Sequence, residues 1–185
     1  MKEFKDLCHE ARSVRRFEDS PVAPEIVNEI ITLACEAPSG LNKQPWLYCI
    51  VSDHDLKNVI RTACEKVETE FYNKINQKRK EAFQKMNITI KKPFLTEAPY
   101  LIIVFGDNTA PYYVESVWLS VGWFMLAAKD KGLSTLTYTP ENMECLNKLL
   151  NIDDNFIPQV ILPLGYGEKK GKKVRKPFDE ISKIF

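Results

Sequence analysis

The sequence holds only two histidines, His9 and His54, both beside charged neighbours. That leaves little for a Ser-His-Asp relay or a histidine-rich metal centre, and a solvated surface position is the ordinary reading of both. Its five cysteines, Cys8, Cys35, Cys49, Cys64 and Cys145, are odd in number, irregularly spaced and never arranged as CxxC. Neither a disulfide framework nor a zinc site is therefore implied, and no metal is expected. No apolar run approaches the roughly 18 residues that a membrane-spanning helix needs. The first residues, MKEFKDLCHEARS, are charged and lack an apolar core, so no secretory signal is expected and the cytoplasm is the default location. Basic and acidic residues, 26 against 25, nearly cancel, which argues against a nucleic-acid-binding surface spread over the protein but not against a local basic pocket. Glycine is sparse, at seven, and neither a P-loop nor a GxGxxG pattern occurs. With so few nucleophile–base combinations available, any redox or transfer chemistry is expected to come from a bound cofactor.

What is present suits one soluble domain spanning 1–185, with 44% apolar and 28% charged residues. Residues 2–12 read as a helix. Pro24 opens the next, where its missing N–H costs nothing, and Ile26, Val27, Ile30, Ile31 and Ala34 recur at helical spacing until Ala37-Pro38-Ser39-Gly40 breaks the pattern. Short apolar runs at 47–51, 101–105, 135–139 and 158–165 read as strands. The charged stretch 55–85 is helical in propensity and poor in large apolar residues, as suits a solvated arm or a mobile cover. From Tyr113 to Lys131 the pattern is the reverse: Val114, Val117, Trp118, Val121, Phe124, Met125 and Ala128 form one apolar stripe that Leu119, Trp123 and Ala127 widen. A helix apolar nearly all round is buried on most sides, and a subunit interface is a natural place for it, so a dimer is expected. Gly132 fits the position that ends this helix. Helices and strands interleave, which places the chain among α/β or α+β folds.

Two short segments carry chemistry. Arg12-Ser13-Val14-Arg15 concentrates guanidinium and hydroxyl donors, and the planar fork of arginine matches a phosphate. A solvated basic patch is the competing reading. Ala37-Pro38-Ser39-Gly40-Leu41-Asn42-Lys43-Gln44-Pro45-Trp46 combines a turn, two side-chain amides and a tryptophan anchor; its amides and backbone N–H groups suit the polar edge of a flavin ring, against the reading of an ordinary polar loop.

Together, RSVR, then APSGxNxQPW, then Pro158–Tyr166 followed by Arg175-Lys176-Pro177, resemble the nitroreductase-like flavoprotein family over essentially the whole chain. The resemblance implies an α+β fold with a central, mainly antiparallel sheet flanked by helices. It also implies an intertwined homodimer with FMN at the interface. By the same resemblance Arg12, Ser13 and Arg15 contact the flavin phosphate and ribityl chain, Arg175 joins them from the tail, and Val14, Pro38, Ser39 and Asn42 lie against the cofactor. Thr137, Tyr138 and Thr139 fall where the family brings backbone and hydroxyl donors to the flavin N5 edge, and a hydroxyl from Thr139 to N5 favours one-electron chemistry. Position 11 is alanine where the family usually has arginine, a loss that Arg16 is placed to offset.

The charged middle narrows the resemblance. Glu68, Tyr72 four residues on, and Lys92 shortly before Ala98-Pro99 are similar to the lid of the iodotyrosine deiodinases, which clasps the amino-acid end of the substrate. A carboxylate for the ammonium, with a phenol and an ammonium for the carboxylate, satisfies both charges of a free amino acid; three ordinary residues of a charged helix is the competing view. The lid is expected at about 64–94, and the resemblance gives the backbone N–H of Leu41 to the substrate phenolate. The implied activity is reductive dehalogenation of halotyrosines, with electrons drawn from a separate donor or reductase. The alternatives are a broad NAD(P)H-dependent nitro- or quinone reductase and a non-catalytic flavin-binding protein.

Overall fold

A computed structural model of the chain describes residues 3–86, 88–168, 171 and 174–185. Its centre is a four-stranded sheet in the order β1 (Trp46–Val51), β2 (Tyr100–Asp107), β4 (Phe156–Gly165), β3 (Ser134–Thr135), with each neighbouring pair antiparallel. β2 reads as an unbroken apolar run because both faces of the sheet are covered. Successive side chains alternate between two cores: Ile102 and Val104 enter one, Leu101, Ile103 and Phe105 the other. A bulge opposite Val104 and Phe105 leaves Gln159 as the extra residue of β4, next to Pro158, which has no N–H to donate to the ladder.

The first core is built by α2 (Pro24–Cys35) and α6 (Tyr113–Asp130). Val27, Ile30 and Ala34 face Val117, Val121, Phe124 and Ala128 across it. One polar group sits at its centre, Ser120, whose hydroxyl donates to the Ala34 carbonyl at 2.8 Å and pairs with the Tyr48 hydroxyl at 2.6 Å. Those bonds satisfy a buried hydroxyl that would otherwise cost about 1–3 kcal/mol. Only one side of α6 is buried, however. Trp118, Leu119 and Trp123 stay 38%, 49% and 46% exposed in a single chain, so the apolar stripe is half covered by its own protomer. Gly132, with φ +76°, ends the helix as expected.

The second core lies under α3 (His54–Lys74), α5 (Phe94–Glu97) and α7 (Cys145–Leu150). Asp53 caps α3 by accepting from the Leu56 N–H at 2.7 Å. The buried positions of α3 are Lys57, Ile60, Cys64 and Glu68, spaced as one helical face. Lys57 donates to the Ala98 carbonyl at 2.8 Å and so pins the start of α3 to the turn that leads into β2.

Several expectations shift in detail. The first helix, α1, runs Phe4–Glu10 and stops before the arginine cluster; Ala11 turns extended, and Ser13 forms a parallel bridge to Thr135. The charged stretch is two helices, α3 and α4 (Gln77–Lys85), separated at Ile75 and re-nucleated by Asn76, whose side chain accepts from the Arg79 N–H. The strand expected at 135–139 is β3 plus an isolated bridge between Tyr138 and Ile161 in the same register; the ladder is interrupted where Leu136 lies opposite Pro163, which has no N–H to donate. α7 and the short α8 (Phe178–Ile181) carry no signal that the sequence reading used. Among the described residues no helix is long and apolar enough to cross a membrane, and no cluster of His, Cys, Asp or Glu could hold a metal ion.

Candidate active site

A cavity of about 680 Å³ opens where the segment after α1, the end of α3, α4, the loop 88–92 and the 137–139 segment meet. Arg15, Glu68, Lys92, Thr137, Tyr138 and Thr139 all line it. Six of the residues predicted from sequence are thus gathered around one cavity by elements far apart in the chain. At the centre is a buried ion pair, Lys92 Nζ to Glu68 Oε2 at 3.2 Å, with side chains 6% and 11% exposed. Lys92 also donates to the Thr89 carbonyl at 2.6 Å. The other Glu68 oxygen, Oε1, accepts from the Tyr138 hydroxyl at 2.9 Å, and the Lys92 ammonium stands 5.6 Å from the Tyr138 ring centre. Burial first, then the Cys64 thiol and the Glu68 carboxylate, push the Tyr138 phenol far above its usual value, so it stays a protonated donor.

Tyr72, one turn beyond Glu68, donates its hydroxyl to the Ile88 carbonyl at 2.9 Å and so ties α3 to the loop that delivers Lys92. Its ring packs with Phe71 and Phe83, and the Arg79 guanidinium lies 5.2 Å and 5.6 Å from the centres of the Phe71 and Phe83 rings. This aromatic cluster is what holds α4, otherwise without a buried residue, against α3. Burial, followed by the nearby Glu68, raises the Tyr72 phenol.

A second carboxylate fastens the same loop. Glu65 Oε1 accepts from the Lys92 backbone N–H at 2.8 Å and from Arg61 Nε at 2.8 Å, while Oε2 meets Lys91 Nζ at 3.0 Å. Partial burial pushes the Glu65 carboxyl up, but these donors outweigh it and hold the group at about 2. Arg61 continues to the Thr96 hydroxyl at 2.9 Å and so reaches α5. Glu65 and Arg61 stand outside the residues predicted from the sequence. Their signal was there: Arg61, Glu65 and Glu68 lie on neighbouring turns of one helix face.

The remaining predicted residues lie elsewhere in the single chain. Arg12 and Val14 line a second cavity of about 750 Å³, between α1 and the C-terminal end of α6. There the Arg12 guanidinium donates to the carbonyls of His9, Ala11 and Gly171. Thr135, whose buried hydroxyl lacks a partner among the described residues, lines the same cavity. Ser13 is exposed beside Thr135. Pro38, Ser39, Leu41 and Asn42 form a tight turn docked on the start of α6, where the Gly40 N–H donates to Ser116 at 3.1 Å. A side chain at Gly40 would meet the Tyr112 ring at 2.9 Å, so glycine is required for this close approach. Leu41, Asn42 and Gln44 all adopt positive φ, at 52°, 53° and 47°. The N–H groups of Asn42 and Lys43 bond back to Ser39 and Gly40, and that of Gln44 to the Ser39 hydroxyl. Within this turn the N–H of the 77% exposed Leu41 has no partner among the described residues. Arg175 lies in the tail and lines neither cavity.

Comparison with known proteins places this geometry. The nitroreductase family model matches residues 9–166. The iodotyrosine deiodinase of Thermotoga neapolitana is 41% identical over 98% of this chain and 96% of its own. That of Haliscomenobacter hydrossis is 38% identical over 89% of this chain and 79% of its own. Among solved structures, a crystal structure of oxidized iodotyrosine deiodinase bound to FMN and 3-iodo-L-tyrosine superposes with a TM-score of 0.89 at 42% identity, covering 94% of this chain and 95% of that one. With its α+β architecture, antiparallel sheet and these relatives, the chain belongs to the nitroreductase family and groups within it with the iodotyrosine deiodinases.

Proposed function

We propose that this chain is an FMN-dependent oxidoreductase that removes halogen from halotyrosines, releasing tyrosine and halide. The observation that carries the reading is the buried Glu68–Lys92 pair facing the same cavity as Arg15, Thr137 and Thr139. A cavity of about 680 Å³ is within the roughly 300–1,000 Å³ usual for cofactor and small-ligand sites. Its donors, among them the Arg15 and Arg16 guanidiniums and the Thr137 and Thr139 hydroxyls, fit an anionic, hydrogen-bonding cofactor. In this reading Arg12, Ser13, Arg15 and Arg175 hold the FMN phosphate and ribityl chain. Val14, Pro38, Ser39 and Asn42 lie along the cofactor, and Thr139 donates to its N5 edge. Bound FMN supplies two electrons in single steps, so that with one proton a halotyrosine becomes tyrosine and halide.

The chain's own residues do the rest. An α-amino acid is a zwitterion and enters the Glu68–Lys92 pair by exchange: its ammonium takes the place of Lys92 at Glu68, and its carboxylate is met by Lys92 with Tyr72. No net charge is buried, which matters because an uncompensated buried charge is far more costly than a lost pair. The segment 64–94, acting as a lid, excludes water from that exchange and strengthens each polar contact. The free N–H of Leu41 is the donor suited to the phenolate.

The turn 38–42 and Arg175, like Arg12, Ser13 and Val14, do not line this cavity in a single chain. The reading requires a second copy to bring the turn and Arg175 there, and Arg12, Ser13 and Val14 to reach it from the segment that precedes Arg15. The exposed Trp118, Leu119 and Trp123 offer the apolar surface for such a homodimer.

The test is anaerobic mixing of the FMN-loaded, dithionite-reduced protein with 3-iodotyrosine, followed by chromatography for tyrosine. Tyrosine formation in step with flavin oxidation is expected. No tyrosine, together with rapid reduction of nitroaromatics by NAD(P)H, overturns the reading in favour of a general nitroreductase.

A further inference from the structure

Tyr138 occupies an unusual crossing point. Its backbone is fixed to the sheet by two hydrogen bonds with Ile161, at 3.0 Å and 2.9 Å. Its N–H is therefore engaged, and its hydroxyl is spent on Glu68 of α3, which leaves neither for a cofactor. The ring is 8% exposed, packs edge-on against Phe94 at 5.4 Å, and its hydroxyl donates to Glu68. Tyr138 is thus the rigid, sheet-borne partner of the carboxylate expected to receive the substrate ammonium, while Lys92, the other partner, sits on a loop.

The two Glu68 oxygens consequently have different roles. Oε2 carries the exchangeable partner, Lys92; Oε1 carries the fixed one, Tyr138. When the ammonium of an amino acid replaces Lys92, Glu68 must stay in place while its cation changes, and only the Tyr138 bond persists through the exchange. We infer that Tyr138 is a positioning residue that sets the selectivity for substrates bearing a free amino-acid end, by holding Glu68 from the central sheet. The inference rests on the dehalogenase reading and adds to it a residue outside the Glu68, Tyr72 and Lys92 set.

The experiment compares wild type, Tyr138→Phe, Glu68→Gln and the double variant, all loaded with FMN. Each is titrated by flavin fluorescence with 3-iodotyrosine and with 2-iodophenol, which lacks the amino-acid end. A hydrogen bond to a charged group supports a loss of about tenfold or more in iodotyrosine affinity for Tyr138→Phe. Unchanged FMN content and unchanged iodophenol affinity are expected beside it. The effect should largely vanish when Glu68→Gln is already present, because the residue acts through Glu68. Equal losses for both ligands, full additivity, or no loss for iodotyrosine each overturn the inference. If wild type itself fails to prefer iodotyrosine over iodophenol, the dehalogenase reading falls, and Tyr138 with it; that failure is visible before any variant is considered.

Discussion

At the scale of single residues, the site is organised around the difference between removing a charge and neutralising one. Lys92→Ala leaves Glu68 as a buried carboxylate without its cation. We expect it to destabilise the protein by about 3 kcal/mol, as seen in denaturant melts, and to weaken iodotyrosine binding while FMN remains bound. Glu68→Gln keeps an acceptor for Tyr138 and should cost less stability, yet it removes the group that meets the ammonium. Comparable loss of ligand affinity with unequal loss of stability is the expected pattern, read by titration and melting on the same samples. Leu41 sits at φ 52°, where a side chain is strained. Leu41→Gly is expected to raise stability by roughly 0.5–1 kcal/mol, the left-handed relief less the chain entropy of glycine. A fall in Tm would mean that the exposed leucine makes a contact in the assembled protein.

At the scale of elements, Glu65 decides how the loop 88–92 is held to α3. Its carboxyl lies below its unfolded value of 4.5, at about 2. The stabilisation is therefore complete above pH 4.5 and drains away as the pH falls toward 2. Screening by solvent limits it to about 1–2 kcal/mol. Protection of the 88–92 amides, taken relative to their intrinsic exchange rates at each pH, should fall below pH 4.5 in wild type, and Glu65→Gln should show the lowered protection at neutral pH with little further change on acidification.

This level also shows what the sequence could convey. β1, β2, β4, α2 and α6 were readable because apolar runs and helical stripes report directly on burial. The end of α1 was not, because Ala11 and Arg12 have ordinary helical propensity and only the bridge from Ser13 to Thr135 pulls the chain straight. The strand expected at 135–139 is interrupted because Leu136 falls opposite Pro163, whose missing N–H breaks the ladder before the Tyr138–Ile161 bridge resumes it. Glu68 and Lys92 were found through a family pattern. Glu65, which grips Lys92 by its backbone, was legible only as the i+4 partner of Arg61 on the face that also carries Glu68.

For the whole molecule, the exposed face of α6 is the decisive feature. A second copy covering Trp118, Leu119 and Trp123 would bury the apolar row and bring the 38–42 turn and the tail to a partner's cavity. Trp118→Glu with Trp123→Glu is expected to yield monomers in analytical ultracentrifugation and to lower FMN affinity at least tenfold; a monomeric variant that keeps full FMN affinity would show that one chain suffices.

The buried face of α3 has one more consequence, for thiol chemistry. Cys64 lies one turn before Glu68, and burial, then neighbouring Cys145 and Glu68, push its thiol up to about 12, whereas Cys8 and Cys145 are exposed. A disulfide reagent should modify the two exposed cysteines at once and reach Cys64 only when α3 lifts from the sheet. The helix that carries Glu68 therefore contains its own clock: the slow phase of Cys64 labelling times the opening of the site, and a bound halotyrosine should lengthen it.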